Sequence, residues 1–79
     1  MSGPCWLMLS ALDARVLRAT DPVCVRRVER VARLAGCSED VARSCLRRLR
    51  GRMLVEDDGS RPTGWLRTRH GDVALEHAS

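Results

Sequence analysis

Two apolar stripes at helical spacing, separated by three residues suited to a tight turn, constrain this chain more than anything else in it. On the N-terminal side Val28, Val31, Ala32 and Ala35 recur at i, i+3, i+4 and i+7, which is one face of a helix. On the C-terminal side Ala42, Cys45, Leu46 and Leu49 recur at the same spacing. Between them stand Gly36, Cys37 and Ser38. Gly36 suits the left-handed backbone that ends a helix. Ser38 suits the N-cap of the next one, with Glu39 and Asp40 favoured by the dipole of its first turn. Ala32 is small enough for two helices to cross closely there. The pattern predicts two short helices joined by a tight turn, a helix-turn-helix.

The rest of the chain places further elements around that unit. Residues 1–9 form an N-terminal extension in which Pro4 excludes a helix interior. Trp6, Leu7 and Leu9 there are expected to cover the core or to meet a second subunit. Ser10 through Asp13 reads as a capping-box-like start, with Asp in place of the usual Glu. Leu12, Val16 and Ala19 mark one face of a first helix over residues 11–20, and Pro22 stops it. Residues 22–25 are short and β-prone. The second helix is expected over 26–35 and the third over 39–50, with Gly51 ending it. Residues 53–56 read as a strand, and residues 57–64, dominated by turn formers, as a loop. Residues 65–68 read as the return strand, and Thr68 as the cap of a last helix over 69–77.

The helix-turn-helix resembles that of winged-helix transcription regulators. The similarity to the MarR-like group runs through Ser38, Ala42, Cys45, Leu46 and Leu49 into the Leu54-Val55 pair. It resumes at Leu66, Thr68 and Gly71, then at Ala74-Leu75-Glu76, so it covers about residues 10–76. The resemblance implies a mainly α fold with a small β-hairpin. A three-helix core is followed by a wing at 53–68 and a C-terminal helix, all in one domain spanning 1–79. It also implies a short strand at 22–25 paired with the wing. The resembled family usually has a Gly just before the Leu-Val pair, where Met53 stands here. Gly51 lies two residues early, which predicts a helix exit built differently.

Composition narrows the function. With 79 residues, the chain can bury one modest core, and an ordinary active-site cleft would be hard to build. No apolar run reaches membrane-spanning length. No basic region precedes the apolar residues near Met1, so no signal peptide is expected and the chain reads as cytoplasmic. The net charge is +4, all 14 basic residues are Arg, and Lys, Ile, Asn, Phe, Tyr and Gln are absent. Most of the absent types have AT-rich codons, which points to a GC-rich genome, a bacterium or its phage. Codon bias and solvation account for part of the Arg excess. Arg43, Arg47, Arg48, Arg50 and Arg52 nevertheless crowd the third helix and its exit, whereas Glu56, Asp57 and Asp58 cluster later. Guanidinium forks match phosphate oxygens, so this asymmetry points to a phosphate-binding side.

If Ala42, Cys45, Leu46 and Leu49 face inward, then Glu39, Asp40, Arg43, Ser44 and Arg47 face outward. The resemblance implies that this helix lies in the major groove of double-stranded DNA. Arg43 is then the candidate for guanine O6 and N7, Ser44 for a base or a phosphate, and Arg47 and Arg48 for phosphates. Glu39 and Asp40 could accept from cytosine N4 or simply stabilise the helix start capped by Ser38. Arg61, near the wing tip, would enter the minor groove, provided the neighbouring acids turn away. Arg67 on the return strand could grip the backbone. Trp65 reads as core before stacking platform.

Cys37 and Cys45 fall where the pattern requires apolar residues, and free Cys packs as a small hydrophobe. No C-x-x-C pair occurs, and His70 and His77 complete no zinc-finger spacing. No metal, cofactor or catalytic residue is expected, so the chain does not read as an enzyme. The leading expectation is a sequence-specific DNA-binding regulator of transcription acting as a homodimer through its N-terminal segment and last helix. Two alternatives stand beside it: a winged helix used as a protein-interaction module, and a thiol- or metal-responsive regulator using Cys24, Cys37 or Cys45.

Overall fold

A computed structural model describes residues 9–78. The elements follow in the order α1 (Ala11–Ala19), β1 (Arg26–Arg27), α2 (Val28–Ala35), α3 (Glu39–Gly51), β2 (Val55–Asp57), β3 (Gly64–Arg67) and α4 (Arg69–Ala78). The chain is mainly helical, with a three-stranded antiparallel sheet in the order β1-β3-β2. This arrangement is compatible with a winged-helix-like fold.

Helix α1 begins as its sequence suggests, with the Asp13 backbone N–H donating to Ser10 Oγ at 3.1 Å. The Asp13 carboxylate, expected to complete the capping box, is instead buried and accepts from Arg48 Nη2 at 2.8 Å. A polar group withdrawn from water needs such a partner. Arg15, on the outer side of α1, donates from Nε and Nη2 to Ala35 O at 3.0 and 2.7 Å, and from Nη2 to Gly36 O at 3.2 Å. These carbonyls end α2, so the guanidinium fixes the α1–α2 crossing where the helix dipole favours a cation.

The predicted strand at 22–25 is a turn in the structure. The Asp21 carboxylate accepts from the backbone N–H groups of Val23 and Cys24 at 2.8 and 2.7 Å, a side-chain-closed turn that competes with strand pairing. The strand falls at Arg26–Arg27, with Arg26 opposite Trp65 and Arg27 opposite Gly64. Helix α2 accordingly starts at Val28 instead of Arg26.

The turn between α2 and α3 is capped as its sequence suggests. Gly36 sits at φ +73°. Its N–H donates to Arg33 O, and the Cys37 N–H to Ala32 O, the paired bonds of a Schellman ending. Ser38 caps α3 by accepting from the Val41 N–H at 3.2 Å.

The exit from α3 differs from the expectation. Gly51 is its last helical residue, and Met53 takes the left-handed conformation at φ +62°. The Met53 N–H donates to Arg50 O and the Leu54 N–H to Leu49 O, again both Schellman bonds. The exit is thus an ordinary left-handed ending built on a non-glycine residue. The strands are shifted slightly from the predicted ranges, to 55–57 and 64–67, with Val55 opposite Arg67, Glu56 opposite Leu66 and Asp57 opposite Trp65.

Thr68 joins three elements. Its N–H donates to Leu54 O at 3.0 Å, its hydroxyl donates to Met53 O at 2.7 Å, and its Oγ1 accepts from the Gly71 N–H at 3.1 Å. It therefore caps α4 as predicted while holding the α3 exit.

One core unites the elements. Val16 and Leu17 of α1, Val31 of α2, Cys45, Leu46 and Leu49 of α3, Leu54, Val55, Trp65 and Ala74 are all buried together. Leu9, Leu12, Val28, Cys37 and Leu75 pack against them. The remaining residues of the N-terminal extension, Trp6 and Leu7 among them, lie outside the described residues. No helix among the described residues is long and apolar enough to cross a membrane.

Candidate nucleic-acid interface

Helix α3 has two sides with different chemistry. Ala42, Cys45, Leu46 and Leu49 are at most 1% exposed. At 3.6 residues per turn the opposite stripe runs through Asp40, Ser44, Arg47 and Gly51, all of them exposed. Glu39, Arg43 and Arg50 flank it on the side of the β-hairpin, and Val41 and Arg48 on the side of α1. The inner stripe is what orients the outer one, because four buried side chains leave the helix no freedom to roll.

A groove of about 400 Å³ separates α3 from the hairpin, lined by Arg43, Arg47 and Arg50 on one wall and by Pro62, Thr63 and Trp65 on the other, with Glu29 at the N-terminal end of α2. Arg43 Nη1 lies 3.2 Å from Asp40 Oδ1, an exposed pair one helical turn apart. Such a pair is worth little in stability, and the Arg43 side chain stays 42% exposed. Arg47 makes no ion pair with any described residue. Arg50, absent from the predicted contacts, stands with its guanidinium carbon 5.7 Å from the centroid of the Trp65 ring, within cation–π range. Its Nη1 is 3.6 Å from Asp57 Oδ2. The sequence signal was available: Arg50 lies seven residues after Arg43, on the same helical flank.

The hairpin acids are handled one by one. Asp57 faces Arg50. Asp58 turns into its own loop, where Oδ1 accepts from the Ser60 N–H at 3.0 Å, the Ser60 hydroxyl at 2.7 Å and the Gly64 N–H at 3.0 Å. These bonds hold its carboxyl down at about 2. Glu56 stays exposed on the outer face of the sheet, opposite Leu66. Arg61 is exposed in the loop, beside Pro62.

The nine predicted residues therefore separate into groups. Ser38, Glu39, Asp40, Arg43, Ser44 and Arg47 lie together on the start and outer side of α3, and Arg61 projects from the hairpin loop. Arg48 is anchored on the α1 side by Asp13 and by a 3.3 Å contact to Cys45 Sγ, although it remains partly exposed. Arg67 turns inward. Its side chain is 16% exposed, with Nε 2.9 Å from Asp72 Oδ1. That is close enough for charge pairing, but not aligned as a hydrogen bond. Arg67 Nη1 reaches toward Leu17 O at 3.5 Å. Strand register is the reason: Arg67 lies opposite Val55, on the face that packs against the core.

Cys45 is 1% exposed, and burial raises its thiol above the usual range, with further contributions from the Asp13 hydrogen bond and charge. A thiol held protonated is a poor nucleophile and metal ligand. Among the described residues no group of three or more His, Cys, Asp and Glu could hold a metal ion. The chain matches no protein-family model, and a comparison with curated proteins found no match.

Proposed function

We propose that this chain is a winged helix-turn-helix protein, similar to the MarR-like regulators, that binds double-stranded DNA in the cytoplasm and regulates transcription. The observation that carries this reading is the groove beside α3. Three arginines line one wall, Glu29 is the one acid in its lining, and the helix bearing them is locked by a fully buried inner stripe. In this reading α3 enters the major groove. Arg43 reads a guanine edge, Ser44 contacts a base or phosphate, and Arg47 holds a phosphate. Arg50 stiffens the groove against the hairpin, and Arg61 meets the minor groove or backbone. Turning Asp58 inward and setting Asp57 against Arg50 leaves the hairpin loop less repulsive to phosphate. Arg48 and Arg67 serve the fold more than the ligand. A homodimer on a pseudo-palindromic site adds the energies of two half-sites.

A fluorescence-anisotropy titration of a selected duplex and a random one, at several salt concentrations, tests the proposal. Arg43→Ala is expected to cost about 1–3 kcal/mol on the selected duplex and to relax base preference at one position. Arg47→Ala is expected to weaken both duplexes alike and to lower the salt slope by about one. Equal binding of both duplexes by the unsubstituted protein would refute sequence-specific recognition. A second reading, a winged helix that binds a protein, draws on Asp40, whose side chain is 97% exposed within the outer stripe of α3. It predicts that Arg43→Ala and Arg47→Ala leave function in the cell intact.

A further inference from the structure

Helix α2 has a second charged flank, beside the one that lines the groove next to α3. Glu29 lines that groove, whereas Arg30, one residue on and rotated by about 100°, lines a trough along this second flank. One end of the trough lies between α1 and α2, where Arg15, Arg18 and Arg30 meet. The other end runs along β1 toward the hairpin loop, past Arg27 and Asp58. Arg26 and Arg30 line both ends, so the surface is continuous.

The arginines of the trough do two things. Arg15 and Arg26 form its floor. Arg15 donates to the carbonyls that end α2, and Arg26 Nη1 donates to Ala19 O at 2.9 Å. Carbonyls at helix ends fix these guanidiniums in place and compensate their charge only in part, and Arg26 also pairs with Asp21. Arg18, Arg27 and Arg30 form the rim. They are exposed and have no acid within ion-pair distance among the described residues. Two acids touch the trough. Asp21 lies 3.8 Å from Arg26, and Asp58 is turned into its loop. Five guanidiniums against two acids leave a concentrated positive field, and an external anion relieves their mutual repulsion.

We infer that this trough binds the sugar-phosphate backbone of a second DNA duplex, so that one molecule bridges two duplex segments across α2. The inference rests on the DNA-binding reading of α3 given above. Guanidinium forks pair with carboxylates as well as phosphates, so the choice of occupant rests on shape: five arginines spread along a continuous trough suit the regularly spaced charges of a phosphate backbone. Of the exposed apolar side chains nearby, Leu34 stands at one end of the trough and Cys24 and Val25, preceded by Val23, at the other, so no apolar pocket lies between the ends.

A two-duplex capture assay tests this. A biotinylated duplex is saturated with protein on beads, and capture of a second, fluorescent duplex is measured. Anisotropy on a single duplex is recorded in parallel. Wild-type protein is expected to capture the second duplex, with capture falling steeply as salt rises. The double variant Arg18→Ala/Arg30→Ala, whose changes lie at exposed positions, is expected to lose capture by roughly tenfold or more while keeping its single-duplex affinity and its thermal melt. Arg43→Ala/Arg47→Ala is expected to lose single-duplex binding. If the wild type binds one duplex and captures no second, the bridging inference is wrong and the DNA-binding reading survives. If the wild type binds no duplex, the DNA-binding reading itself fails. Capture that persists in Arg18→Ala/Arg30→Ala overturns the inference in favour of bridging by a dimer through two α3 faces. Binding of poly-glutamate that depends on Arg18 and Arg30, without duplex capture, overturns it in favour of a protein-docking face.

Discussion

Met53 occupies backbone space in which a glycine would be under less strain. Its φ of +62° costs a residue with a Cβ about 1 kcal/mol. Met53→Gly should therefore raise stability by up to about 1 kcal/mol, read from thermal or urea unfolding. Gly36→Ala should lower it by a similar amount, because φ there is +73°. Gly51 is the opposite case: it is helical, and an added Cβ would meet nothing within 4 Å. Gly51→Ala should stabilise α3 by roughly 0.5–1 kcal/mol. Asp58 supplies a pH signature. Its carboxyl falls from 3.8 to about 2 on folding, so its contribution is complete above the ordinary carboxylate range and is lost as pH falls through about 2. Amide resonances of Ser60 and Gly64 should shift together over that acid window, and Asp58→Ala should abolish the transition. The Gly36 turn was legible in the sequence because its signals are local. The Met53 ending was not, since its hydrogen bonds close regardless of the side chain and only glycine advertises the conformation. The pairing of Asp13 with Arg48 was equally hidden, because it spans 35 positions and depends on how two helices cross.

At the scale of elements, α4 is seated by close approach. A Cβ on Gly71 would fall 2.3 Å from Leu54 O and 2.8 Å from Arg67 Cγ. Gly71→Ala should cost about 1–3 kcal/mol, comparable to an overpacked core. Loss of protection at the Thr68 and Gly71 amides in hydrogen exchange would report it. The periodicities of α2 and α3 gave their inner faces directly, and the outer stripe of α3 followed by subtraction. In α1 the stripe through Leu12, Val16 and Ala19 missed the buried Asp13 and Ala14. The strand at 22–25 was misplaced because β-propensity ignores what the neighbouring Asp21 can do to two backbone amides. The inward turn of Arg67 was hidden for a related reason. A strand alternates its faces, and only the pairing of Val55 with Arg67 reveals which one turns inward.

The molecule as a whole depends on one small core, so it has little reserve. Leu46 of α3 is fully buried in the core. Leu46→Ala should cost about 2–5 kcal/mol, enough to unfold much of a domain of this size, as circular dichroism would show. The charge that the sequence concentrated on α3 is real, but it is not the only concentration. Arginines spaced across α1, β1 and α2 converge into a second basic surface that no single stretch of sequence displays. One-dimensional charge counting finds runs, whereas the crossing of α1 and α2 brings Arg15 and Arg18 beside Arg30.

Thr68 turns this small assembly into a lever. Because its hydroxyl and main chain grip Met53, Leu54 and Gly71 at once, the base of the hairpin and the first turn of α4 share a single pivot. The loop bearing Arg61 therefore cannot swing about its base without tugging on the last helix. Anything that clamps that helix in turn sets the angle of the loop.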